Sequence, residues 1–372
     1  MKIKHRNMSR LYKYKIMLRF SSENLSLKDR EDILVPFNKN MGLKDTFSFK
    51  TKNAIKIEAV RTIHIPDKVE AIFGNGNSIH LQMLKSILLY CLTCNRCVKV
   101  KSIIMTCKRK NGKTYRYQEV KKFKQPFPER THMIRPLSVE VLLGKMAHDS
   151  IDYNYRIAMS YLLREQYSLH PNHKFECLWR AYNCLFRFLT SESGDNPGIR
   201  KMIQHVEQYP NKYIETLNYA CMVDLSDGMF KFGHFFETRI SRSLNASCND
   251  FIQFVSKFTN TEILSIFNSN IETINHSIDV KTASNVALAA SIKNTISTYI
   301  SITTEDVSKK QIEKFVFLLW YAYYLRNMQF HAVIKEASFS LYSERKDKHM
   351  MCINGLLEAF LYEIFIDDTS FS

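Results

Sequence analysis

The sequence predicts an α+β protein, with a small α+β module over residues 1–135 followed by a mainly α-helical bundle over residues 136–372. Apolar and polar residues alternate within the first 130 residues, as they do in half-buried strands, whereas apolar spacings of three and four dominate after Ser138. Gly and Pro are scarce, with 10 and 8 among 372 residues, which favours helices over turn-rich β-sandwiches. A chain of this length usually forms two domains.

Four strands and one helix are predicted in the first module. The clearest strand runs from Tyr12 to Phe20, where Tyr14, Ile16 and Leu18 alternate with basic residues or methionine. The others cover residues 55–59, 98–107 and 114–120, and Asn111-Gly112 between the last two is the preferred pair for a hairpin turn. A helix is predicted over residues 79–92, with the Gly-rich stretch 74–77 interpreted as a turn that caps it rather than as a phosphate-binding loop.

Basic residues are concentrated at the start of the chain. Residues 1–150 contain 31 Lys and Arg against 12 Asp and Glu, whereas residues 151–372 contain 22 against 24, which together give the net charge of +17. Such polarity suits a polyanion, so we expect nucleic acid as the partner. A solvated basic surface and an anionic membrane surface are the alternatives.

The predicted hairpin carries the densest group of cations, and aromatic side chains beside cations suit a nucleic-acid groove. The predicted RNA-binding residues are Lys99, Lys101, Lys108, Arg109, Lys110, Lys113, Tyr115, Arg116, Tyr117, Lys121 and Lys122. The alternative interpretation is a well-solvated hairpin with ordinary cross-strand pairs.

A basic stretch that contains Pro126 and Pro128 predicts the boundary between the two domains. Helical periodicity then continues to the end of the chain. The predicted helices cover residues 138–148, 151–168, 174–190, 198–208, 211–222, 229–245, 248–268, 281–300, 308–331 and 350–364.

The cysteines raise the question of a metal site, because Cys91, Cys94, Cys97 and Cys107 have the spacing C-x2-C-x2-C-x9-C. There is no second C-x2-C pair, and the first two lie at the end of an apolar helix, where cysteine serves as a small hydrophobic residue. We therefore expect no metal and no other cofactor. Nine scattered cysteines indicate free thiols in a reducing cytoplasm. The sequence contains no run of about 18 apolar residues, so no membrane span is predicted.

Arg326 is the most informative residue of the predicted helix 308–331. Apolar residues recur from Ile312 to Phe330 at helical spacing, and Arg326 occupies one position of that stripe. A guanidinium there needs an anionic partner or an interface. Asn327 and His331 follow on one shared face, so a fixed cation, an amide and an imidazole occur together.

These residue types suit metal-independent RNA cleavage, in which an imidazole moves protons and a guanidinium binds the phosphate. Three pairs in the sequence have an arginine followed by a histidine with four to six residues between them: Arg164/His170, Arg200/His205 and Arg326/His331. Only the third has Asn directly after the arginine and ends a long apolar helix. The alternative for this pair is an arginine extended to solvent and a surface histidine.

Arg326-Asn327-x3-His331 resembles the R-x4–6-H motif of the HEPN superfamily (higher eukaryotes and prokaryotes nucleotide-binding). Residues 175–186, FECLWRAYNCLF, resemble the opening helix of its Apea-like branch, which carries the pattern F-x2-L-W-x-A. The resemblance covers about residues 150–365. It implies a helical bundle that dimerises and a metal-independent endoribonuclease, often a toxin or an antiviral defence effector.

The resemblance also implies roles for the three residues: His331 transfers the proton, Arg326 anchors the phosphate and Asn327 orients the group by a hydrogen bond. Positions five apart on an ideal helix point about 140° apart. We therefore expect either that the helix ends between Arg326 and His331 or that two protomers of a homodimer form the site. The alternatives are a non-catalytic RNA-binding protein and a regulatory partner that only dimerises.

Overall fold

The computed structural model divides into two compact units, Met1–Ser168 and Leu169–Ser372. The residues that it describes are 12–20, 30–36, 44–50, 54–61, 77–94, 100–108, 114–119, 137–138, 141–142, 145, 149–165, 170–226, 228–242, 248–302, 305–307, 309–330 and 344–367. The division falls later than the predicted boundary after residue 135, because a helix at Asp149–Glu165 packs on the helix Ser78–Cys94 of the N-terminal unit.

The N-terminal unit contains an antiparallel sheet and two long helices among its described residues. Its elements are β1 Tyr12–Phe20, β2 Arg30–Pro36, β3 Lys44–Lys50, β4 Ala54–Arg61, α1 Ser78–Cys94, β5 Val100–Lys108, β6 Thr114–Glu119 and α2 Asp149–Glu165. The six strands have the order β2-β3-β4-β1-β5-β6, and each neighbouring pair is antiparallel. The predicted strands at β1, β4, β5 and β6 and the predicted helix at α1 are confirmed.

β1 lies in the middle of the sheet and supplies the centre of its core. Ile16 and Leu18 are fully buried, and Ile16 pairs with Ile57 on one side and Met105 on the other. α1 contacts the sheet through Tyr90, whose ring centroid lies 5.1 Å from the ring of Phe20. The alternation in the sequence of β1 therefore corresponds to one covered face and one exposed face.

Two polar contacts fix the start of α1. The Arg61 guanidinium donates to both carboxylate oxygens of Asp45, at 2.7 and 2.6 Å, and to the Ser78 hydroxyl at 2.9 Å. The Asn77 side-chain oxygen accepts from the Ile79 amide at 2.9 Å, so the Gly-rich stretch ends in a helix cap, as predicted. β2 and β3 were not predicted. β3 is short and has charged residues at both ends, a pattern that does not indicate a strand. One of these residues, Asp45, is buried by its pair with Arg61.

The C-terminal unit is helical throughout its described part. Its helices are α3 Pro171–Thr190, α4 Asp195–Gln208, α5 Ile214–Met222, α6 Phe232–Arg242, α7 Asn249–Val255, α8 Thr261–Ser269, α9 Ile271–Thr282, α10 Val286–Ile300, α11 Lys310–Phe330 and α12 Glu344–Ile366. The fold class, α+β with a helical C-terminal part, is therefore confirmed. The predicted helix 138–148 lies largely outside the described residues.

The helix predictions for this unit are wrong at two places: one predicted helix is in fact two, and one helix was missed. The single helix predicted over residues 248–268 is two helices, α7 and α8, because the Asn260 side chain caps α8 and accepts from the amides of Glu262 and Ile263 at 3.0 and 3.3 Å. The helix α9, Ile271–Thr282, was not predicted. It buries only Ile274 and Ile278 among apolar residues, so its stripe is too narrow to stand out in the sequence.

α11 and α12 are the inner helices of this unit, and each contributes buried charges that cap other helices. On α12, the Glu363 carboxylate accepts from the amides of Glu215 and Thr216, at 2.8 and 3.0 Å, at the start of α5. On α11, Lys314 donates to the carbonyls of Cys221 and Val223, at 3.0 and 2.6 Å, at the end of α5. Both charges are opposite in sign to the helix dipole that they meet.

Lys348–Ile366 of α12 has the length and apolar character of a membrane-crossing helix, and 67% of this window is buried within the protein. It also carries the buried polar residues Asn354 and Glu363. Asn354 donates to the Pro171 carbonyl at 2.8 Å, in addition to the contacts of Glu363 with α5. These contacts are those of a helix in the core of its unit.

We predict that Glu363→Ala lowers the free energy of unfolding of the C-terminal unit by about 2–4 kcal/mol, because three donors lose their shared acceptor and most of that site is buried. Urea unfolding followed by tryptophan fluorescence measures this unit alone, because both tryptophans of the chain, Trp179 and Trp320, lie in it.

Glu358→Ala is the matched control on the same helix. It removes a half-exposed ion pair with Lys174, which has an N–O distance of 2.9 Å, and we expect a loss below about 1 kcal/mol. An equal loss in the two variants would contradict a special contribution of Glu363.

Candidate functional site

Arg326 is half-buried on α11, and its side chain is 23% exposed. Its Nη1 donates to the Asn327 side-chain oxygen at 2.9 Å and lies 3.4 Å from Oδ2 of Asp195. The sequence predicts either an anionic partner or an interface for a guanidinium at this position, and Asp195 is an anionic partner. The pair holds one edge of the guanidinium in a fixed orientation.

Asp195 begins α4 and also binds a second arginine. Its Oδ1 accepts from Arg187 of α3 at 2.9 Å, so one carboxylate lies between two guanidiniums, those of Arg187 and Arg326. The first turn of a helix favours a negative charge, which stabilises Asp195 there. Gly198 permits this arrangement, because a Cβ at that position would overlap the ring of Phe186 on α3.

Three buried donors lie on α3 and on α11, the helix that carries Arg326. Trp179 Nε1, the Tyr182 hydroxyl and Asn327 Nδ2 have no hydrogen-bond acceptor among the described residues. Burial raises the pKa of Tyr182, and the negative charge of Asp195 raises it further, so this hydroxyl keeps its proton. Buried donors without an acceptor are rare in folded proteins, and they favour an electron-rich ligand at this position.

The helices α3 and α11, which carry the two stretches with the HEPN resemblance, contact each other, although Trp179 and Arg326 are 147 positions apart. The ring centroids of Trp179 and Tyr323 are 6.0 Å apart, and Tyr323 precedes Arg326 by one turn of α11. Near the end of α11, Gln329 donates to the carbonyl of Asn172 on α3 at 3.2 Å. Most of the intervening chain forms the helices α4 to α10.

His331 lies outside the described residues, one position beyond the end of α11. Of the other two Arg–His pairs, Arg200/His205 is divided between surface and core. Arg200 is exposed, whereas His205 is buried and its Nε2 lies 2.7 Å from the Asp367 carboxylate, which also accepts from Tyr213 at 2.7 Å. His205 therefore belongs to a buried network that links α4 to the end of α12.

A cavity of about 100 Å³ is lined by α4, α6, α7 and α11, two of which, α4 and α11, also contribute Asp195 and Arg326. Arg200 and Arg239 supply its cations, and Trp320 and Tyr323 supply aromatic surface. Sequence analysis did not identify Asp195, Arg187 or this cavity. The only sequence signal for Asp195 is its place after Gly194, at the start of a helical pattern, which is typical of a helix N-terminus.

The N-terminal sheet has a second candidate surface on the face of β1 that alternates with its core residues. We call this the basic sheet face. It comprises the exposed side chains Lys13, Lys15 and Arg19 of β1, Lys108 of β5 and Arg116 of β6. The ladder pairs Lys13 with Lys108 and Lys15 with Thr106, which in turn pairs with Arg116. Glu58 is a carboxylate on the same face, and its Oε1 lies 2.6 Å from Lys56 Nζ.

The predicted hairpin residues fall into three groups in the structure. Lys101 is exposed where the β1–β5 register shifts, and Lys108 and Arg116 belong to the basic sheet face. Tyr115 pairs with Cys107 and Tyr117 pairs with Met105, both of which are buried, so the register puts these two positions on the opposite side of the sheet from Arg116. The predicted residues outside the described ranges are Lys99, Arg109, Lys110, Lys113, Lys121 and Lys122.

The cysteines considered as metal ligands lie in the N-terminal unit. Cys91 on α1 and Cys107 on β5 are each only 1% exposed. Cys97 and the side chain of Cys94 lie outside the described part. Within the ranges that are described, no group of three or more His, Cys, Asp or Glu side chains is arranged to hold a metal ion.

Comparison of the chain with protein-family models, with curated proteins and with solved structures found no match. Its function is therefore argued from the side chains around Arg326, from the basic sheet face and from the sequence motif at Arg326.

We predict that purified protein contains well below one equivalent of zinc or iron per chain, because the cysteine set supplies an incomplete group of ligands. Elemental analysis after gel filtration measures this. Circular dichroism before and after dialysis against EDTA is the control, and we expect identical spectra. One zinc ion or one iron–sulfur cluster per chain would show that this prediction is wrong.

Proposed function

We propose that this protein binds RNA and that its C-terminal unit is a metal-independent endoribonuclease of the HEPN type. The observation that carries the proposal is the environment of Arg326. A guanidinium that shares its carboxylate partner with Arg187 contacts Asn327, which has a buried donor, and two more buried donors lie on α3. The last described residue of the helix that carries Arg326 immediately precedes His331. This combination of cation and donors suits a phosphodiester whose negative charge increases as it reacts.

The proposed reaction requires no metal and no external nucleophile. The 2′-hydroxyl oxygen attacks the adjacent phosphorus, its proton is taken by a base, and the bond from phosphorus to the 5′-oxygen of the next nucleotide breaks. A proton passes to that departing oxygen. The products are a 2′,3′-cyclic phosphate and a 5′-hydroxyl, and the atoms balance without water.

Each motif residue has one role in this scheme. His331 transfers the protons, because an imidazole titrates near neutrality. Arg326 binds the phosphate oxygens, for which its planar, bidentate donor set is suited. Asn327 positions Arg326 through their 2.9 Å hydrogen bond and retains a buried Nδ2 donor for the substrate.

The basic sheet face supports RNA as the substrate. Five exposed cations on three neighbouring strands form a surface that a phosphate backbone can follow. The HEPN resemblance adds a homodimer and a role as a toxin or antiviral effector to the proposal, and the scattered cysteines add a cytoplasmic setting. A non-catalytic RNA-binding protein is the second candidate function, and the basic sheet face favours it equally.

We predict that wild-type protein cleaves single-stranded RNA in EDTA and that His331→Ala lowers the rate constant by about 10²–10⁴-fold, the usual contribution of general acid–base catalysis. Arg326→Lys should also lower the rate markedly, because lysine keeps the charge but loses the bidentate donor geometry. Single-turnover cleavage of an end-labelled oligonucleotide measures both rates.

Two substitutions on α3 control for general effects of substitution, one in its first turn and one near its centre. His173→Ala removes another histidine, and Arg180→Lys alters an exposed arginine whose ion pair with Glu176 lies within one helix. Both should cleave at the wild-type rate. Magnesium-dependent cleavage, or a fully active His331 variant, would contradict the proposed mechanism, and binding without cleavage would favour the second candidate function.

We predict that the triple charge reversal Lys15→Glu, Lys108→Glu and Arg116→Glu weakens RNA binding by about tenfold or more and lowers the salt slope by about 2, since each phosphate contact on a single strand contributes about 0.7. Fluorescence anisotropy across a series of salt concentrations measures both quantities.

A matched reversal in the helical unit, Lys231, Lys257 and Lys309 to Glu, makes the same change in net charge at exposed positions. We expect a smaller loss of affinity from it. Equal losses in the two triple variants would indicate a general effect of net charge and would exclude a specific role of the basic sheet face.

A further inference from the structure

The cavity lined by α4, α6, α7 and α11 contains an arginine for which the described residues supply no acceptor. Arg200 is exposed and lines the cavity, and no ion pair or hydrogen bond joins its guanidinium to another described residue. Arg187 and Arg326, by contrast, both form ion pairs with Asp195. The described residues therefore leave the guanidinium of Arg200 available to an anionic ligand.

The second cation of the cavity is held in place before any ligand binds. The guanidinium carbon of Arg239 lies 3.9 Å from the ring centroid of Phe254 and 4.4 Å from that of Trp320. Contact with two aromatic rings fixes the plane of the guanidinium and leaves its charge in place. Such a cation loses little conformational entropy when it binds an anion.

Neutral donors complete the lining. Asn196 and Thr238 contribute an amide and a hydroxyl, and Asn196 lies on the first turn of α4, where backbone amides also favour an anion. Burial raises the pKa of Tyr324 to about 12, and the nearby charge of Glu237 adds to this, so the Tyr324 hydroxyl keeps its proton. One carboxylate, Asp250, also lines the cavity, which leaves two cations against one anion.

The volume limits what the cavity can hold. A single buried water needs roughly 10–15 Å³ of such space, whereas sites for drug-sized ligands have about 300–1,000 Å³. The cavity, at about 100 Å³, lies between these limits and suits a group of the size of a phosphate. The cations and the proton-bearing donors select for an anion with several oxygens.

We propose that this cavity binds a phosphate group of the RNA strand, as a second anchor next to the phosphate bound by Arg326. The inference rests on the proposed function for its choice of RNA, but the phosphate site itself follows from the lining. Arg200 supplies a charge that no described residue pairs, Arg239 supplies the preorganised charge, and Asn196 supplies the first-turn donor of α4. The connection to Arg326 is structural, because α4 and α11 contribute residues to both sites.

The test uses the full chain and the fluorescence of Trp320, which lines the cavity. Inorganic phosphate and adenosine 5′-monophosphate should change the emission, whereas adenosine, which lacks the phosphate, should not. Trp320→Phe should remove the signal, and isothermal titration of that variant shows whether binding remains. Arg200→Ala should weaken binding of both phosphates by about tenfold or more, the usual effect of losing a charged hydrogen bond, and Arg180→Ala should leave it unchanged.

A decanucleotide of 2′-O-methyl RNA should displace adenosine 5′-monophosphate, which distinguishes a strand phosphate from a free nucleotide. Binding of the nucleotide without displacement by RNA would overturn the assignment to RNA. Equal affinity of Arg200→Ala and wild type, or binding of adenosine as strong as that of its phosphate, would overturn the phosphate site.

In cleavage assays Arg200→Ala should raise KM and keep kcat. An unchanged KM in an active enzyme would overturn the second anchor and leave the proposed ribonuclease activity intact.

Discussion

The burial of charged side chains of α11 and α12 at the ends of neighbouring helices is the constraint on which the C-terminal unit depends. Glu363 meets the start of α5, Lys314 meets its end, and Glu313 accepts from the amides of Thr259 and Asn260 just before α8, at 2.8 and 2.7 Å. A buried charge is costly unless hydrogen bonds satisfy it. Each of these charges therefore permits only an arrangement in which its helix end is nearby.

The candidate site uses the same two features, an inner helix and a charge shared between elements. α11 is held by Glu313 and Lys314 near its start and by aromatic contacts along its length, so Arg326 projects from a rigid element. Asp195 then connects α3, α4 and α11 through two guanidiniums. A site on rigid helices keeps its donors in a fixed geometry, which electrostatic catalysis requires.

The sequence predicts those parts of the structure whose pattern is local. β1 and α11 have regular apolar spacing and are confirmed, as is the cap at Asn77. The partner of Arg326 could not be predicted, because Asp195 is distant in the sequence and meets Arg326 only through the packing of α4. The interleaving of Tyr115 and Tyr117 with Arg116 predicts one shared surface, but successive strand residues face opposite sides, and the register separates them.

The central claim is that the Arg326 guanidinium binds a phosphate of RNA, and a crystal structure with bound RNA tests it most directly. An oligonucleotide methylated at every 2′-oxygen cannot supply the attacking hydroxyl and therefore stays intact. The account predicts a phosphate within about 3 Å of two Arg326 nitrogens, the usual distance of a charge-assisted hydrogen bond, with His331 near the adjacent 2′-oxygen. RNA bound elsewhere, with Arg326 still paired to Asp195 and remote from any phosphate, would contradict it.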